Sequence, residues 1–275
     1  MDDFSDADFS LTDSDGVTIF GHRWTGSVPA RAVVHIAHGL GEHALRYARL
    51  ARELTAAGYT VYADDHRGHG RTGVAAGGLG PLGPRGMAGT LDALRAVSTF
   101  ARSQHPDLPF FLLGHSWGSF LAQQFALRWG SELTGLVLSG TTLMVPPFPA
   151  PDSFNDAFEP TTTPSDWLSR DAAEVATYVA DPWCGFPADF PYDEMAYLAG
   201  SPTDAIPRDL PILVLNGSVD PVGGEAGGQA LVDAYRSLGV KDVSFLSYPD
   251  GRHEMFNEIN RDQVTADLLS WLAAH

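Results

Sequence analysis

Short apolar runs alternate along this chain with longer segments of helical spacing, and that alternation narrows its possible folds more than any other feature. Ala32-Val33-Val34-His35-Ile36-Ala37, Thr60-Val61-Tyr62-Ala63, Phe110-Phe111-Leu112-Leu113, Leu136-Val137-Leu138, Pro211-Ile212-Leu213-Val214-Leu215 and Val243-Ser244-Phe245-Leu246 read as strands, and an earlier one runs from Val17 to Trp24. Between them, Arg46 to Ala57 carries Leu50, Leu54 and Ala57 on one helical face and stops at Gly58, a suitable C-cap residue. Further helices are expected near 88–104, 117–129, 225–238 and 261–274. Strand–helix repetition of this kind builds βαβ units, so the expected class is α/β with a mostly parallel sheet.

The alternation breaks once, over residues 141–210. The expected division is a core of 1–140 and 211–275 with 141–210 inserted as a cap or lid. The insertion opens on Pro146, Pro147, Pro149 and Pro151, has one expected helix around Asp166–Tyr178, and carries Phe148, Phe154, Phe158, Trp167, Trp183, Phe186, Phe190, Tyr192 and Tyr197. A segment this long inside a compact domain is more often a functional lid than a plain loop. Its aromatics are expected mainly to form the lid's own small core.

At 275 residues the chain can bury enough surface to fold without a disulfide or metal staple. Its single cysteine, Cys184, excludes an internal disulfide framework and fits a reducing compartment; its expected role is packing. The net charge of −17 is uneven: residues 1–20 hold six acids and no base, and residues 141–210 hold twelve acids against Arg170 and Arg208. With Lys241 the only lysine, nucleic acid and anionic membrane surfaces are disfavoured as partners. The N-terminus has no basic or apolar leader and no stretch is long enough to span a bilayer, so a cytoplasmic protein without a stable membrane anchor is expected.

Gly114-His115-Ser116-Trp117-Gly118 has the form G-x-S-x-G, directly after one expected strand and at the start of a helix. That is the setting of a nucleophile elbow, in which flanking glycines let strand and helix backbones approach without Cβ clashes. A serine hydroxyl needs a base, and the base an orienting acid, in the order Ser, Asp or Glu, His. Asp220 follows the strand Ile212–Leu215 and His253 follows Val243–Leu246. Loops at the carboxyl ends of parallel strands share one rim, so Ser116, Asp220 and His253 can converge there. Asp250 is the rival acid, but it is too close in sequence to His253 to reach the imidazole easily. Acyl transfer also needs N–H donors for the developing oxyanion. Trp117, just after the nucleophile, and Leu40, in the glycine-rich His38-Gly39-Leu40-Gly41-Glu42-His43, are the expected pair.

With these segments in hand, the sequence resembles the monoacylglycerol lipase and lysophospholipase branch of the α/β-hydrolases, also grouped with serine aminopeptidase-like hydrolases. The resemblance rests on His38–His43 with Arg46-Tyr47, on Asp65-His66-Arg67-Gly68-His69-Gly70-Arg71, on Gly114–Gly118 and on Arg252-His253-Glu254-Met255-Phe256-Asn257-Glu258. It implies an eight-stranded, mostly parallel sheet with an inserted lid. It also implies Ser116 as nucleophile, Asp220 and His253 as acid and base, Leu40 and Trp117 as oxyanion donors, and no metal or cofactor. His66 and His69 would be packing or hydrogen-bonding residues. The implied substrate is a small ester such as a monoacylglycerol or lysophospholipid. Alternatives are a short-chain carboxylesterase, an aminopeptidase-type amide hydrolase or a non-catalytic binding protein. Two departures stand out: Trp117, where lipases of this branch usually carry methionine, and the acidity of the insertion.

Overall fold

The strands are β1 Phe4–Thr12, β2 Thr18–Gly26, β3 Ala32–Ala37, β4 Tyr59–Asp64, β5 Phe110–His115, β6 Gly135–Ser139, β7 Ile212–Gly217 and β8 Val243–Tyr248. The computed structural model describes residues 4–145, 153–187, 189, 192–198 and 200–275. All eight strands join one sheet in the order β1-β2-β4-β3-β5-β6-β7-β8. β1 with β2 and β2 with β4 are antiparallel; every other pair is parallel.

Period-two alternation divides the sheet's side chains between two cores. Leu112, Leu136, Leu138, Ile212 and Val214 pack on one face under helices α3 (Gly86–Gln104), α4 (Trp117–Trp129) and α6 (Gly224–Ser237). Their sequence neighbours Phe111, Leu113, Val137, Leu213 and Leu215 pack on the other, under α1 (Ala48–Ala56) and α7 (Arg261–Ala274). Strands covered on both sides need no polar face, which is why they read as unbroken apolar runs.

Three elements differ from the sequence expectation. β1 was not expected: as an edge strand with a single neighbour it stays largely in solvent, and its polar residues Asp6 and Asp8 mask the strand signal. The short α2 (Gly70–Ala75) gives no sequence signal either, because glycines weaken any helical pattern. The helix expected over Asp166–Tyr178 is a 3-10 turn at Asp166–Leu168 followed by α5, Ala172–Ala180. The break falls where the Asp171 carboxylate accepts the N–H groups of Ala173 and Glu174 and so caps α5.

Residues between β6 and β7 make no strand among those described. The prolines 146, 147, 149 and 151 and the aromatics Phe148 and Phe190 lie outside the described residues. Several aromatics face the rest of the protein rather than one another. Trp167 lies over His253, Trp183 meets His43 edge to face, Phe186 meets His69, and Tyr197 lies under the Arg128 guanidinium. Only Phe154 against Trp167 is a ring contact inside the segment among these. No described helix is long and apolar enough to cross a membrane.

Candidate active site

Ser116 sits between β5 and α4 at φ 52° and ψ −123°, a backbone region that ordinarily costs a side-chain-bearing residue roughly 1–3 kcal/mol. The surroundings enforce it. A Cβ on Gly114 would lie 2.5 Å from the Gly118 carbonyl oxygen, and one on Gly118 would overlap the carbonyl oxygens of Ala37 and His38. Across the rim, Ser116 N–H donates to the Ser139 carbonyl at 2.9 Å, tying the elbow to the end of β6. The side chain of Ser116 is partly open to solvent.

Asp220 and His253 stand in the loops after β7 and β8, and His253 Nδ1 lies 2.9 Å from Asp220 Oδ1. A carboxylate only accepts, so Nδ1 carries the proton. The same oxygen accepts the Val222 N–H at 2.9 Å, while Oδ2 is buried with no hydrogen-bond partner among the described residues. Asp250 is instead exposed, and its N–H donates to Ser218 Oγ. Burial pulls the His253 pKa down, but the charge and hydrogen bond of Asp220, with Glu254 and Glu42 behind it, outweigh burial and raise it above 6.5. The His115 ring lies 4.7 Å from that of His253 and the Trp167 ring 4.8 Å from it. No hydrogen bond joins Ser116 Oγ to His253 among the described residues.

The loop after β3 passes beside the elbow: a Cβ on Gly39 would be 3.2 Å from Ser116 Cβ. Its backbone groups are claimed one after another by side chains. Gly39 N–H donates to Glu42 Oε1 at 2.5 Å, His38 Nδ1 donates to the Gly39 carbonyl at 2.8 Å, and Gly41 N–H donates to His69 Nε2 at 3.1 Å. Leu40 N–H, between these two, meets no acceptor among the described residues. A donor left so in a structured loop is available to a substrate oxygen. Trp117, the first residue of α4, directs its N–H out of the helix's N-terminal end.

Beneath this loop lies a layer of imidazoles. His38 and His66 rings are 4.1 Å apart, and His69 stacks on Trp117 at 5.0 Å. The bulk of Trp117, 2 % exposed, is therefore taken up by His66 and His69. Burial drives the pKa of His38 well down, His69 to about 3 and His115 to about 4. They stay neutral, and as neutral rings they can accept: His38 Nε2 takes the His66 N–H as His69 takes that of Gly41.

Glu42, Arg46 and Glu254 complete the site, and sequence reasoning gave none of them a role although all three fall in the quoted motifs. Arg46 donates to Glu42 Oε2 at 2.8 Å and reaches both oxygens of Glu254, the residue after His253. Burial raises the Glu254 pKa but Arg46 more than reverses that, holding it near 2. One guanidinium thus links the Leu40 loop to the His253 loop. Two other groups of ligand-type side chains occur among the described residues, His43 with Asp181 and Cys184, and Asp6 with Asp8 and His22. Neither contains a candidate catalytic residue, and the Arg46 charge acts on both Asp181 and Cys184, which disfavours a cation there.

Comparison with known proteins shows the family. The family profile described as "Serine aminopeptidase, S33" matches residues 28–260. A monoacylglycerol lipase of Mycolicibacterium smegmatis is 34% identical over 272 residues, covering 94% of each chain. A monoglyceride lipase of Mus musculus is 29% identical, covering 96% of this chain and 89% of its own. Among solved structures, a thermostable carboxyl esterase from Bacillus coagulans, in complex with glycerol, superposes with a TM-score of 0.90 at 27% identity, covering 98% of both chains.

Proposed function

Because the chain belongs to the serine aminopeptidase S33 family, in the monoacylglycerol lipase-like branch of the α/β-hydrolases, and is a serine ester hydrolase, we propose that Ser116, His253 and Asp220 are its catalytic residues. Ser116 Oγ attacks the ester carbonyl while His253 Nε2 takes its proton. The tetrahedral oxyanion accepts the Leu40 and Trp117 N–H groups, and collapse expels the alcohol with the proton returned from His253. Water repeats the sequence on the acyl-enzyme. Asp220 holds the imidazole by Nδ1 and stabilises its charged form.

The observation that carries this reading is the bonded His253–Asp220 pair at the rim where the strained Ser116 elbow stands. The substrates we infer are small single-chain esters, monoacylglycerol or lysophospholipid in type, with residues 141–210 as the lid over them. The names of the Mycolicibacterium and mouse relatives support that class. A short-chain carboxylesterase is the second reading, favoured by the close likeness to the Bacillus coagulans esterase.

Hydrolysis rates across p-nitrophenyl esters from acetate to palmitate separate the two. A maximum at long chains is expected; a preference for acetate or butyrate would favour the second reading. Ser116→Ala should lower kcat by roughly 10⁴ to 10⁶ while the melting temperature holds or rises, since alanine removes only the hydroxyl. A variant that keeps most of its activity would overturn the serine assignment.

A further inference from the structure

Leu40 N–H lies in the Gly39–Leu40 peptide, whose carbonyl His38 Nδ1 holds, and the path of the loop beyond it is set at Gly41, which is held at both ends. Its N–H goes to His69, and its carbonyl accepts two donors from far along the chain: Tyr178 Oη at 2.9 Å and the Gly185 N–H at 2.9 Å. The Gly185 N–H also lies 3.1 Å from Tyr178 Oη, so the three groups form a closed triangle. Both donors belong to the segment between β6 and β7, Tyr178 on α5 and Gly185 in the turn after it. A third tie runs alongside, from His43 Nε2 to Asp181 Oδ2 at 2.9 Å.

Tyr178 is built in place rather than swung there by chance. It is 9 % exposed, and the Arg46 guanidinium lies over its ring at 4.8 Å while holding Glu42 and Glu254. Gly41 fits it closely: φ is +70°, where glycine is favoured, and a Cβ there would be 3.3 Å from Tyr178 Oη. Burial and the carboxylates of Glu254 and Glu42 keep the phenol protonated, so it remains a donor.

We propose that Tyr178 is a positioning residue for ester hydrolysis: through the Gly41 carbonyl its hydroxyl fixes the path of the loop that carries the Leu40 N–H, so the oxyanion hole is complete only while α5 and the turn after it are in place. This rests on the reading of Ser116 as nucleophile and Leu40 as oxyanion donor. A misplaced donor loses most of its value within about 1 Å, so the hydroxyl should act on the chemical step more than on ground-state binding.

The test is Tyr178→Phe, which keeps the ring under Arg46 and removes only the hydroxyl. It is assayed on p-nitrophenyl butyrate and with phenylboronic acid, whose tetrahedral serine adduct needs the same hole. The expected result is a kcat about tenfold lower, below the ~10²–10³ cost of deleting a donor outright. KM should stay within about twofold and the boronate Ki should rise by about the same tenfold factor. Thr177→Ala, which removes an exposed hydroxyl on the same helix, should leave all three unchanged. An unchanged kcat, or a loss confined to KM with boronate affinity intact, overturns the proposal. A merely structural tether predicts a lower melting temperature with that second pattern. Asp181→Asn loosens the same turn through His43 and should move kcat and boronate Ki together by about threefold; no change there overturns the proposal even if Tyr178→Phe fails to fold. Ser116→Ala run in parallel separates two failures. An active Ser116→Ala enzyme sinks the nucleophile reading and the Tyr178 role with it, whereas an inactive one beside an unaffected Tyr178→Phe sinks the Tyr178 role alone.

Discussion

The elbow at Ser116 and the loop at Leu40 flank one site, yet they are held by different physics. The elbow is fixed by backbone against backbone: Gly114 against Gly118, Gly118 against Ala37 and His38, Ser116 N–H on Ser139. Its shape follows from chain packing alone. The loop is fixed mainly by side chains, Glu42, His38, His69 and Tyr178, the last of them 137 residues from the Gly41 carbonyl it binds. A backbone-locked element tolerates nothing bulkier at its glycines but asks no particular side chain of the segments it packs against. A side-chain-locked element can be retuned one substitution at a time.

That contrast can be broken or sharpened at four places. Asp220→Asn, which abolishes the carboxylate holding His253, should cost about 10⁴ in kcat with both the elbow and the loop intact, read by steady-state kinetics beside a thermal melt. Gly118→Ala should damage the elbow as a fold element, destabilising the protein by about 3 kcal/mol in urea titration because the added Cβ meets backbone that cannot yield. Full stability would mean that the elbow is softer than its contacts imply. Glu42→Gln should lower kcat about tenfold with a smaller loss of stability, since the amide can still accept from Gly39 but weakens the tie to Arg46. A larger loss of stability than of kcat would make that carboxylate a folding residue.

The smallest effect is the pH profile. As the proposed base His253 would have to be neutral, and its pKa is raised above 6.5, so kcat/KM should fall on the acid side with a midpoint above 6.5. Asp220→Asn should move that midpoint down in whatever residual activity remains. A wild-type midpoint below 6.5 would mean that burial outweighs the carboxylate.

The same division explains what was legible. Ser116, Asp220 and His253 each follow a strand whose apolar run announces itself, so the topology of a parallel sheet sufficed to bring them to one rim. Leu40 was legible through the glycines around it. Its partners were not: Tyr178 gives no local signal of reaching Gly41, and Glu42 stands inside a motif without showing that its carboxylate turns back to Gly39. β1 has no apolar run because an edge strand need not be buried, and α5 starts only at Ala172 because Asp171 caps it. Long-range pairing, capping and edge exposure are decided by tertiary structure, which periodicity does not encode.

The imidazole layer beneath the Leu40 loop also sets how the protein meets acid. His38, His69 and His115 are neutral when folded, with pKa values pressed below 6.5 by burial, to about 3 for His69 and about 4 for His115. In the unfolded chain each binds a proton near pH 6.5. Below that pH the unfolded state carries the larger proton load, and stability drains away as pH falls toward the folded values. His253 acts in the opposite sense, adding stability below 6.5 and losing it as pH rises through its raised folded value. The floor of the site is therefore an acid fuse: mild acidity should silence the proposed base, and stronger acidity should destabilise the loop beside it.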